Sequence, residues 1–343
     1  MSDLKSTLDK NHDFRPPENW DWGHKFLSGL QVRYGLTRSR RPYDAVCVII
    51  GGLGDFAEQY FELAHDFERR NIRPVIIDLP GQGGSGRYLK NPHKRHTTNF
   101  GEILEDIHIL IEDVVLSAAI DFDDNHKRLP IIMLAHSMGA HFALRYLAEY
   151  NQTSRGQTIV TAASLTAPMF KIRALELMNP FITSLKLKFL SLFPNSYVPG
   201  GSNWVKKECP VSDVSSRDYA RANIKNYWLS NPGTEHLAVG SPTNKWLLEA
   251  VKSCNLLESP DYVERVKIPI LLALAGQDNV VSNQAIRGLS GRLPMADLLS
   301  LPGCEHEILM ERDEHRSVFL NHFFSFLDKN VFSKQDKGKV FIT

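Results

Sequence analysis

The fold is decided by residues 130–140, which read PIIMLAHSMGA. The first six are apolar at every position, as is typical of a strand buried on both faces of a parallel sheet. Ser137 follows almost at once, and helical spacing returns after Gly139. A serine between a strand and a helix occupies a sharp turn that projects its hydroxyl off the sheet, so the residues two before and two after it must be small. These residues are Ala135 and Gly139, and the stretch predicts a strand, an accessible serine and a helix.

Buried strands and helices alternate on both sides of this stretch. This alternation predicts an α/β fold with a mostly parallel central sheet flanked by helices. The apolar runs that predict strands are 45–50, 74–78, 130–135, 159–165, 268–275 and 296–301. Helical spacing predicts helices over 56–67, 99–114, 140–150 and 312–327, the last with Val318, Phe319, Phe323 and Phe326 facing inward.

An insertion separates the fourth predicted strand from the fifth. Residues 167–261 fill an interval where a few loop residues would suffice, and they are helical in pattern and rich in aromatic side chains. Ligands of open α/β sheets bind beyond the carboxyl ends of the strands, so an insertion at this point is placed to cover a site. We predict a helical cap at 167–261, a core made of 43–166 and 262–343, and an N-terminal arm with an edge hairpin at 1–42.

The charge balance and the hydropathy pattern exclude several classes of protein. The 343 residues include 40 Lys+Arg and 39 Asp+Glu, a formal net charge of +1, which argues against a nucleic-acid-binding protein. The longest apolar runs have the length of strands, short of the roughly 20 residues that span a bilayer, and the polar start is unlike a signal peptide. The cysteines form no C-x-x-C pair, and we expect reduced, mostly buried thiols in a cytoplasmic protein at Cys47, Cys209, Cys254 and Cys304.

Two further candidate site residues follow later strands. Asp278 comes after the strand predicted at 268–275, and His306 comes after the strand at 296–301. A serine nucleophile needs a base to take its proton, and the base needs a carboxylate to orient it. The carboxyl ends of parallel strands meet at one edge of the sheet, so Ser137, Asp278 and His306 are predicted to come together as nucleophile, acid and base.

A glycine-rich loop after the first buried strand supplies a further part of the predicted site. It reads GGLG at residues 51–54, and glycines let the backbone turn an N–H inward. An oxyanion needs two backbone donors, one from such a loop and one from the residue after the nucleophile. The candidate donors are therefore the N–H groups of Leu53 and Met138.

Other motifs are given structural interpretations. Residues 81–86 match G-x-G-x-x-G, but the polar loop at 87–98 follows where a dinucleotide site needs a helix, so no nucleotide cofactor is predicted. The histidines show no convincing metal-ligand spacing, and no metal is predicted. His136 is expected to point away from the nucleophile and pack, Asp78 to brace its own loop, and the histidines of the 87–98 loop to be solvated.

Four motifs together carry a family resemblance. They are GGLGD at 51–55 with YFELA at 60–64, the D-x-x-G-x-G-x-S turn at 78–85, AHSMG at 135–139, and GQD at 276–278 with HEILME at 306–311. With the chain order Ser137, Asp278, His306, they resemble the serine α/β-hydrolases. More narrowly, they are similar to the bacterial lysophospholipase and monoacylglycerol lipase branch, which is grouped with serine aminopeptidases. Two stretches of the insertion, 215–219 and 239–247, resemble the lysophospholipases more.

The resemblance implies a two-step acyl transfer by Ser137 with no metal or organic cofactor. A lysophospholipid is the implied substrate, and a monoacylglycerol or a simple carboxylic ester is the alternative. An aminopeptidase-like amidase is a weaker alternative because the sequence reveals no anchor for a substrate amine. A hydrolase-fold protein without catalysis is also weaker because none of the three triad residues is missing. One departure is that Gly51 stands where many relatives carry histidine.

An apolar stripe within the insertion bears on the substrate. Its members recur at helical spacing beside Lys186 and Lys188, and they are Leu177, Met178, Phe181, Ile182, Leu185, Phe189, Leu192 and Phe193. The stripe either packs against the core, or forms an acyl-chain groove or a surface that touches membrane. The near-neutral charge limits membrane contact to a transient one, so we expect a cytoplasmic protein with peripheral contact at the inner membrane through the cap. The sequence does not predict an oligomeric state.

Overall fold

The computed structural model describes residues 13–39, 41–120, 128–152, 156–206 and 216–333. Within them, one sheet of eight strands has the order β1-β2-β4-β3-β5-β6-β7-β8. The strands are β1 (Trp20–Leu27), β2 (Leu30–Thr37), β3 (Ala45–Ile50), β4 (Ile72–Ile77), β5 (Ile131–His136), β6 (Val160–Thr166), β7 (Ile270–Ala275) and β8 (Ala296–Leu301). β2 runs antiparallel to both β1 and β4, and the other neighbouring strands are parallel. The predicted mostly parallel sheet is confirmed.

Helices connect the parallel strands, as predicted. The α-helices are α1 (Phe61–Glu68), α2 (Phe100–Leu110), α3 (Leu116–Ala118), α4 (Ser137–Glu149), α5 (Arg173–Glu176), α6 (Pro180–Leu190), α7 (Tyr219–Leu229), α8 (Asn244–Glu258), α9 (Asn283–Ser290) and α10 (Asp313–Leu327). Single 3₁₀ turns lie at Ala57–Tyr60, Glu235–Leu237, Val263–Arg265 and Ile308–Met310, and π turns continue from α2 and α10 at Ile111–Val115 and Asp328–Phe332. Helices α5 to α8 lie between β6 and β7, so the helical character of the insertion is confirmed for its described residues.

The core lies on both faces of the central strands. Strands β3, β5 and β7 are buried at every position, as their continuous apolar runs predict. Helix α10 contributes the buried side chains of Phe319, Phe323 and Phe326. The prediction that Val318 also faces inward is wrong, since half of it is exposed. Each residue of an α-helix is rotated by about 100° from the one before, so the position beside Phe319 turns towards solvent.

The N-terminal hairpin forms the antiparallel edge of the sheet. Ser28 and Gly29 connect β1 to β2, and both have positive φ (44° and 82°), which suits a two-residue turn between twisted strands. The hairpin lies within the range 1–42 in which an edge hairpin is predicted, and its first strand begins at Trp20. Residues 1–12 of the predicted arm lie outside the described residues.

The histidines of the loop at 87–98, His93 and His96, are partly buried, so the prediction that they are solvated is wrong. Residue Arg95 forms a parallel bridge with Pro242, and the N–H of Gly240 donates to the carbonyl of His93 at 2.7 Å. The His96 ring is hydrogen-bonded to Thr243 at 2.9 Å. The prediction fails because the hydrogen-bond partners of this loop belong to the insertion. They are distant in sequence, so a local sequence pattern does not reveal them.

Two predictions concern the thiols and the membrane. Cys47, Cys254 and Cys304 are buried and unpaired, which confirms that part of the prediction, whereas Cys209 lies outside the described residues. Over the same described ranges, no helix has both the length and the apolar character needed to cross a bilayer.

Candidate active site

The turn between β5 and α4 holds Ser137 in a strained conformation. Its φ is +51°, a left-handed value that side chains other than glycine rarely adopt. Close packing against β3 enforces the turn, because a Cβ atom on Gly139 would lie only 2.3 Å from the carbonyl oxygen of Ile50. The small residue on the other side, Ala135, pairs directly with Ile50. The steric reason for the small residues around the serine is thus present in the structure.

A chain of hydrogen bonds joins the three residues that the sequence singles out. The Ser137 hydroxyl lies 2.9 Å from Nε2 of His306, and Nδ1 of His306 lies 2.7 Å from Oδ2 of Asp278. All three residues are buried, and Asp278 is completely enclosed. With Nδ1 carrying the proton, His306 donates to Asp278 and leaves Nε2 free to accept from the serine. The arrangement is that of a nucleophile, a base and an orienting acid.

Backbone groups fix the Asp278 carboxylate. Its second oxygen, Oδ1, accepts the N–H groups of Val280 and Val281 at 2.8 and 2.9 Å. These bonds hold the aspartate rotamer after the end of β7, so Oδ2 is directed at the histidine ring. A carboxylate with this many fixed partners loses little further freedom when His306 becomes charged.

The loop at residues 51–54, here called the oxyanion loop, faces Ser137. A Cβ atom on Gly52 would lie 3.1 Å from the Cβ atom of Ser137. The N–H groups of Gly52 and Gly54 are already used, since they donate to Asp55 at 2.6 Å and to Gln82 at 2.9 Å. No acceptor among the described residues takes the N–H of Leu53, so it is available for a ligand oxygen.

The second candidate donor belongs to the first turn of α4. Met138 is the second residue of that helix, and N–H groups of a first helical turn have no acceptor within the helix. The helix N-terminus also carries partial positive charge, which favours an anion at this point. Among the described residues, the N–H groups of Leu53 and Met138 have no acceptor, and both stay candidate donors to an oxyanion at Ser137.

Two supports of the oxyanion loop were missed by sequence reasoning. Oδ2 of Asp55 accepts from Gly52 and from the Tyr60 hydroxyl at 2.7 Å. The Gln82 amide donates to the carbonyl of Gly52 at 2.7 Å while its oxygen accepts from Gly54. Asp55 and Gln82 both belong to the motifs that carry the family resemblance, and this was the sequence signal that could have identified them. Their partners follow only from the fold.

Asp78 braces the turn that carries Gln82, as predicted. Its carboxylate accepts the N–H groups of Ala57 at 2.8 Å and Gly84 at 2.7 Å, and it accepts from the Arg33 guanidinium at 2.6 Å. Asp78 is therefore part of the scaffold beneath the oxyanion loop and is not the acid of the triad.

A second ionisable pair, buried His136 with partly exposed Glu307, lies beside Ser137 and His306. His136 is buried as predicted, but its ring is 4.9 Å from that of His306, and its Nε2 lies 3.1 Å from Oε2 of Glu307. Burial lowers the pKa of His136, but nearby carboxylates, chiefly that of Glu307 with those of Asp55 and Asp278, outweigh burial and raise it to about 9. Burial raises the pKa of Glu307, but His136 outweighs it and holds the value at about 2. The expectation that His136 points away from the site is wrong, because local sequence does not reveal its contact with Glu307.

The same residues are the one group of potential metal ligands found in the described ranges. Ligand atoms of His136, His306 and Glu307 lie within 4.8 Å of one another. Each is already engaged, in the His136–Glu307 pair or in the bond to Ser137, so an ion would have to displace these contacts. We assign no metal to them.

Residues of the insertion hold the loops that carry the acid and the base. The Arg173 guanidinium donates to the backbone carbonyl of Asp278. Arg217 donates to Glu305 at 2.8 Å and to Gln277 at 2.6 Å. The inserted segment therefore contacts the loops that follow β7 and β8. Its exact bounds as a separate cap, 167–261, stay a prediction.

The apolar stripe of the insertion is turned outward. Phe181 on α6 is 78% exposed, Leu185 is 62% exposed and Phe189 is 60% exposed. The other largely exposed members are Leu177, Ile182, Leu192 and Phe193. The alternative that the stripe packs against the core is therefore wrong. A cavity of about 590 Å³ lies between α6 and α8, and none of the triad residues lines it.

Comparison with known proteins identifies the family. The model of the serine aminopeptidase S33 family matches residues 41–313. The chain is 28% identical over 315 residues to lysophospholipase L2 of Escherichia coli, covering 89% of this chain and 86% of the relative. It is 25% identical over 312 residues to a probable lysophospholipase L2 of Haemophilus influenzae, covering 88% and 91%.

A solved structure agrees with the fold. A soluble variant of monoglyceride lipase from Saccharomyces cerevisiae superimposes with a TM-score of 0.69 at 15% identity, over 92% of this chain and 96% of that one. At this identity the likeness concerns the fold alone. With a family match that spans most of the chain, this protein belongs to the serine aminopeptidase S33 family and has the α/β-hydrolase fold.

Proposed function

We propose that this protein is a serine hydrolase that cleaves the acyl ester of lysophospholipids through a covalent acyl-enzyme. The observation that carries the proposal is the hydrogen-bonded chain from Ser137 through His306 to Asp278, beside two unused backbone donors. The names of two relatives that match nearly the whole chain support the choice of substrate.

In the first step, His306 accepts the proton of Ser137 at Nε2 as the serine oxygen attacks the ester carbonyl. Asp278 stabilises the imidazolium that forms and keeps the proton on Nδ1. His306 then protonates the leaving glycerol oxygen, and the fatty acyl group remains on Ser137. In the second step His306 activates a water molecule, which releases the fatty acid. No metal or organic cofactor takes part in this scheme.

The tetrahedral intermediate of each step carries a negative oxygen. We assign its two hydrogen bonds to the N–H groups of Leu53 and Met138. Each donor of this kind typically contributes about 10²–10³ in rate. Both donors are held before substrate arrives, one by the clamped oxyanion loop and one by helix α4, so little reorganisation is needed during the reaction.

Two other substrate classes have specific support. A monoacylglycerol has the same ester and a single chain, and the yeast monoglyceride lipase shares the fold. An aminoacyl amide is suggested by the name of the family. A protein without catalysis is disfavoured because the triad geometry is complete.

A hydrolysis panel tests the proposal. It compares lysophosphatidylcholine, lysophosphatidylethanolamine, monoacylglycerol, a short p-nitrophenyl ester and aminoacyl amides, with Ser137→Ala as the blank. We expect Ser137-dependent release of fatty acid, fastest from the lysophospholipids. Activity confined to the amides would refute the lipid substrate, and a wild-type protein as inactive as the blank would refute the enzyme.

We also propose a cytoplasmic protein that touches the inner membrane transiently through α6. The exposed apolar face of this helix, with Lys186 and Lys188 exposed beside it, has the composition of an interfacial helix on anionic lipid. The test is co-sedimentation with vesicles that contain phosphatidylglycerol, using the double variant Phe181→Ser, Phe189→Ser. The matched control is Phe26→Ser, which removes an equally exposed phenylalanine from β1. Loss of binding only in the double variant is expected, and equal binding by all three proteins would refute the contact.

A further inference from the structure

Arg95 is held between the oxyanion loop and the insertion. Its backbone N–H donates to the carbonyl of Ser241 at 3.3 Å, and its own carbonyl accepts from Thr243 at 2.9 Å. The guanidinium donates through Nη1 to the carbonyl of Leu53 at 2.8 Å and through Nε to the carbonyl of Gly240. These bonds fix both the backbone and the head of the side chain.

The guanidinium and the nucleophile lie beside the same short stretch of backbone. A Cβ atom on Gly54 would be 2.7 Å from Nη1 of Arg95, and one on Gly52 would be 3.1 Å from the Cβ atom of Ser137. Consecutive Cα atoms are about 3.8 Å apart, so the charge lies on the order of 10 Å from Ser137. That separation is suited to a group a few bonds away from a reacting ester.

The charge of Arg95 has no counter-ion among the described residues. Both of its hydrogen-bond acceptors are neutral carbonyls, and its Nη2 group has no partner. Buried arginines elsewhere are paired with carboxylates, at 2.7 Å for Arg33 with Glu58 and for Arg221 with Glu62. Arg95 is only partly buried, but its guanidinium is held against neutral carbonyls and part of its hydrogen-bonding fork is unused. A cation that is partly withdrawn from water favours an opposite charge beside it, so this guanidinium can accept an anion.

The nearest acid does not supply that anion. Asp55 already accepts from Gly52 and Tyr60, and Nζ of Lys225 lies 3.9 Å from its other oxygen. Burial lowers the pKa of Arg95 to about 10, with Asp55 opposing the change, so the guanidinium stays charged at neutral pH. Arg87, on the same loop, differs because four bonds to carbonyls occupy its guanidinium.

We infer that Arg95 binds the phosphate group of a lysophospholipid substrate whose acyl ester is held at Ser137. The inference rests on the proposed function and adds the group that recognises the head. A guanidinium presents parallel N–H donors that match phosphate oxygens, and Nη2 with the second N–H of Nη1 is the unused part of the fork. The phosphorus of a lysophospholipid is only a few bonds from its ester carbonyl. A monoacylglycerol lacks this anion, so Arg95 sets the preference between the two.

The experiment measures the ratio of kcat/KM for lysophosphatidylcholine to kcat/KM for a monoacylglycerol of the same acyl chain. The proteins are the wild type, Arg95→Gln, Arg95→Lys and, as the matched control, Arg87→Gln. We expect Arg95→Gln to lower the ratio about tenfold or more, since a hydrogen bond to a charged group is worth that factor. Arg95→Lys should give a ratio between those of the wild type and Arg95→Gln, and Arg87→Gln should keep the wild-type ratio.

A purely structural role for Arg95 predicts a different result. If Arg95→Gln lowers both kcat/KM values by the same factor, the inference is overturned. A free anion is distinguished by a second arm, in which inorganic phosphate and glycerophosphocholine are tested as inhibitors of monoacylglycerol hydrolysis by the wild type and by Arg95→Lys. Inhibition by glycerophosphocholine that Arg95→Lys weakens supports head-group binding, even if Arg95→Gln does not fold. If inorganic phosphate inhibits the wild type but Arg95→Gln leaves the ratio of the two kcat/KM values unchanged, the site binds the free ion, and the inference is overturned.

Failure of the inference is separable from failure of the proposed function. A wild-type protein that hydrolyses neither lipid refutes the function. If the wild-type protein hydrolyses the monoacylglycerol through Ser137 but does not hydrolyse the lysophospholipid, it is an esterase, and the role inferred for Arg95 is refuted.

Discussion

The pair of buried His136 with partly exposed Glu307 leads to a prediction that can be worked out in numbers. Glu307→Gln removes the carboxylate and leaves His136, 1% exposed, without its principal counter-charge. The pKa of His136 is raised from an ordinary 6.5 to about 9. Each pKa unit corresponds to about 1.4 kcal/mol, so the folded state gains about 3 kcal/mol from this protonation. The lowered pKa of Glu307 reflects the same contact, so its free energy is not added to that of His136.

The sign of the effect fixes its dependence on pH. Because the folded-state pKa of His136 is raised, its stabilisation is complete below about pH 6.5 and is lost as the pH rises through about 9. The pKa of Glu307 is lowered to about 2, so the pair weakens in acid only as the pH falls from about 4.5 towards 2. We therefore expect Glu307→Gln to lower the free energy of unfolding by about 3 kcal/mol at pH 6 and by little at pH 10.

Urea denaturation at the two pH values measures this difference, and Glu305→Gln is the matched control. Glu305 lies on the other side of His306 and pairs with Arg217, whose side chain is 43% exposed. Such a pair contributes roughly 0–1 kcal/mol. A loss from Glu307→Gln that is equal at pH 6 and pH 10, or one no larger than that of the control, would refute the reasoning.

Three further substitutions test other parts of the site and its scaffold. Asp278→Asn should lower kcat roughly 10⁴-fold in ester hydrolysis because it favours the wrong histidine tautomer, and a loss below tenfold would contradict this role. Gln82→Ala removes the side-chain hydrogen bonds to the oxyanion loop, so kcat should fall about 10²-fold with little change in KM. A change in KM with an unaltered kcat would contradict a role of this loop in stabilising the transition state. Gly139→Ala should lower the free energy of unfolding by about 3 kcal/mol or more, since its Cβ would meet the carbonyl of Ile50. Gly288→Ala on α9 has open space and is the control; equal urea midpoints for the two alanine variants would refute the steric argument.

The sequence predicts the sheet well because the deciding pattern is local. Strands such as β3 and β5 are buried on both faces, and their continuous apolar runs identify them within one or two residues. The grouping of Ser137, Asp278 and His306 could also be predicted, since each follows a strand in the parallel part of the sheet. Parallel strands bring their carboxyl ends together whatever lies between them in sequence.

The parts that escaped prediction depend on contacts across the fold. The clamp of Gln82 on the oxyanion loop, the pair of His136 with Glu307 and the position of Arg95 each join segments far apart in sequence. The outward face of α6 escaped for another reason. An apolar helical stripe has the same sequence pattern whether it packs against protein or faces outward. Only the position of the helix in the fold determines which of the two occurs.

The central claim is that Ser137 is a nucleophile activated by His306. Intact-protein mass after reaction with a fluorophosphonate tests it most directly, with wild type, Ser137→Ala and His306→Gln compared under native conditions. We predict one covalent adduct on the wild type, none on Ser137→Ala and a strongly slowed reaction of His306→Gln. An unmodified wild-type protein, or an adduct that persists in Ser137→Ala, would contradict the account.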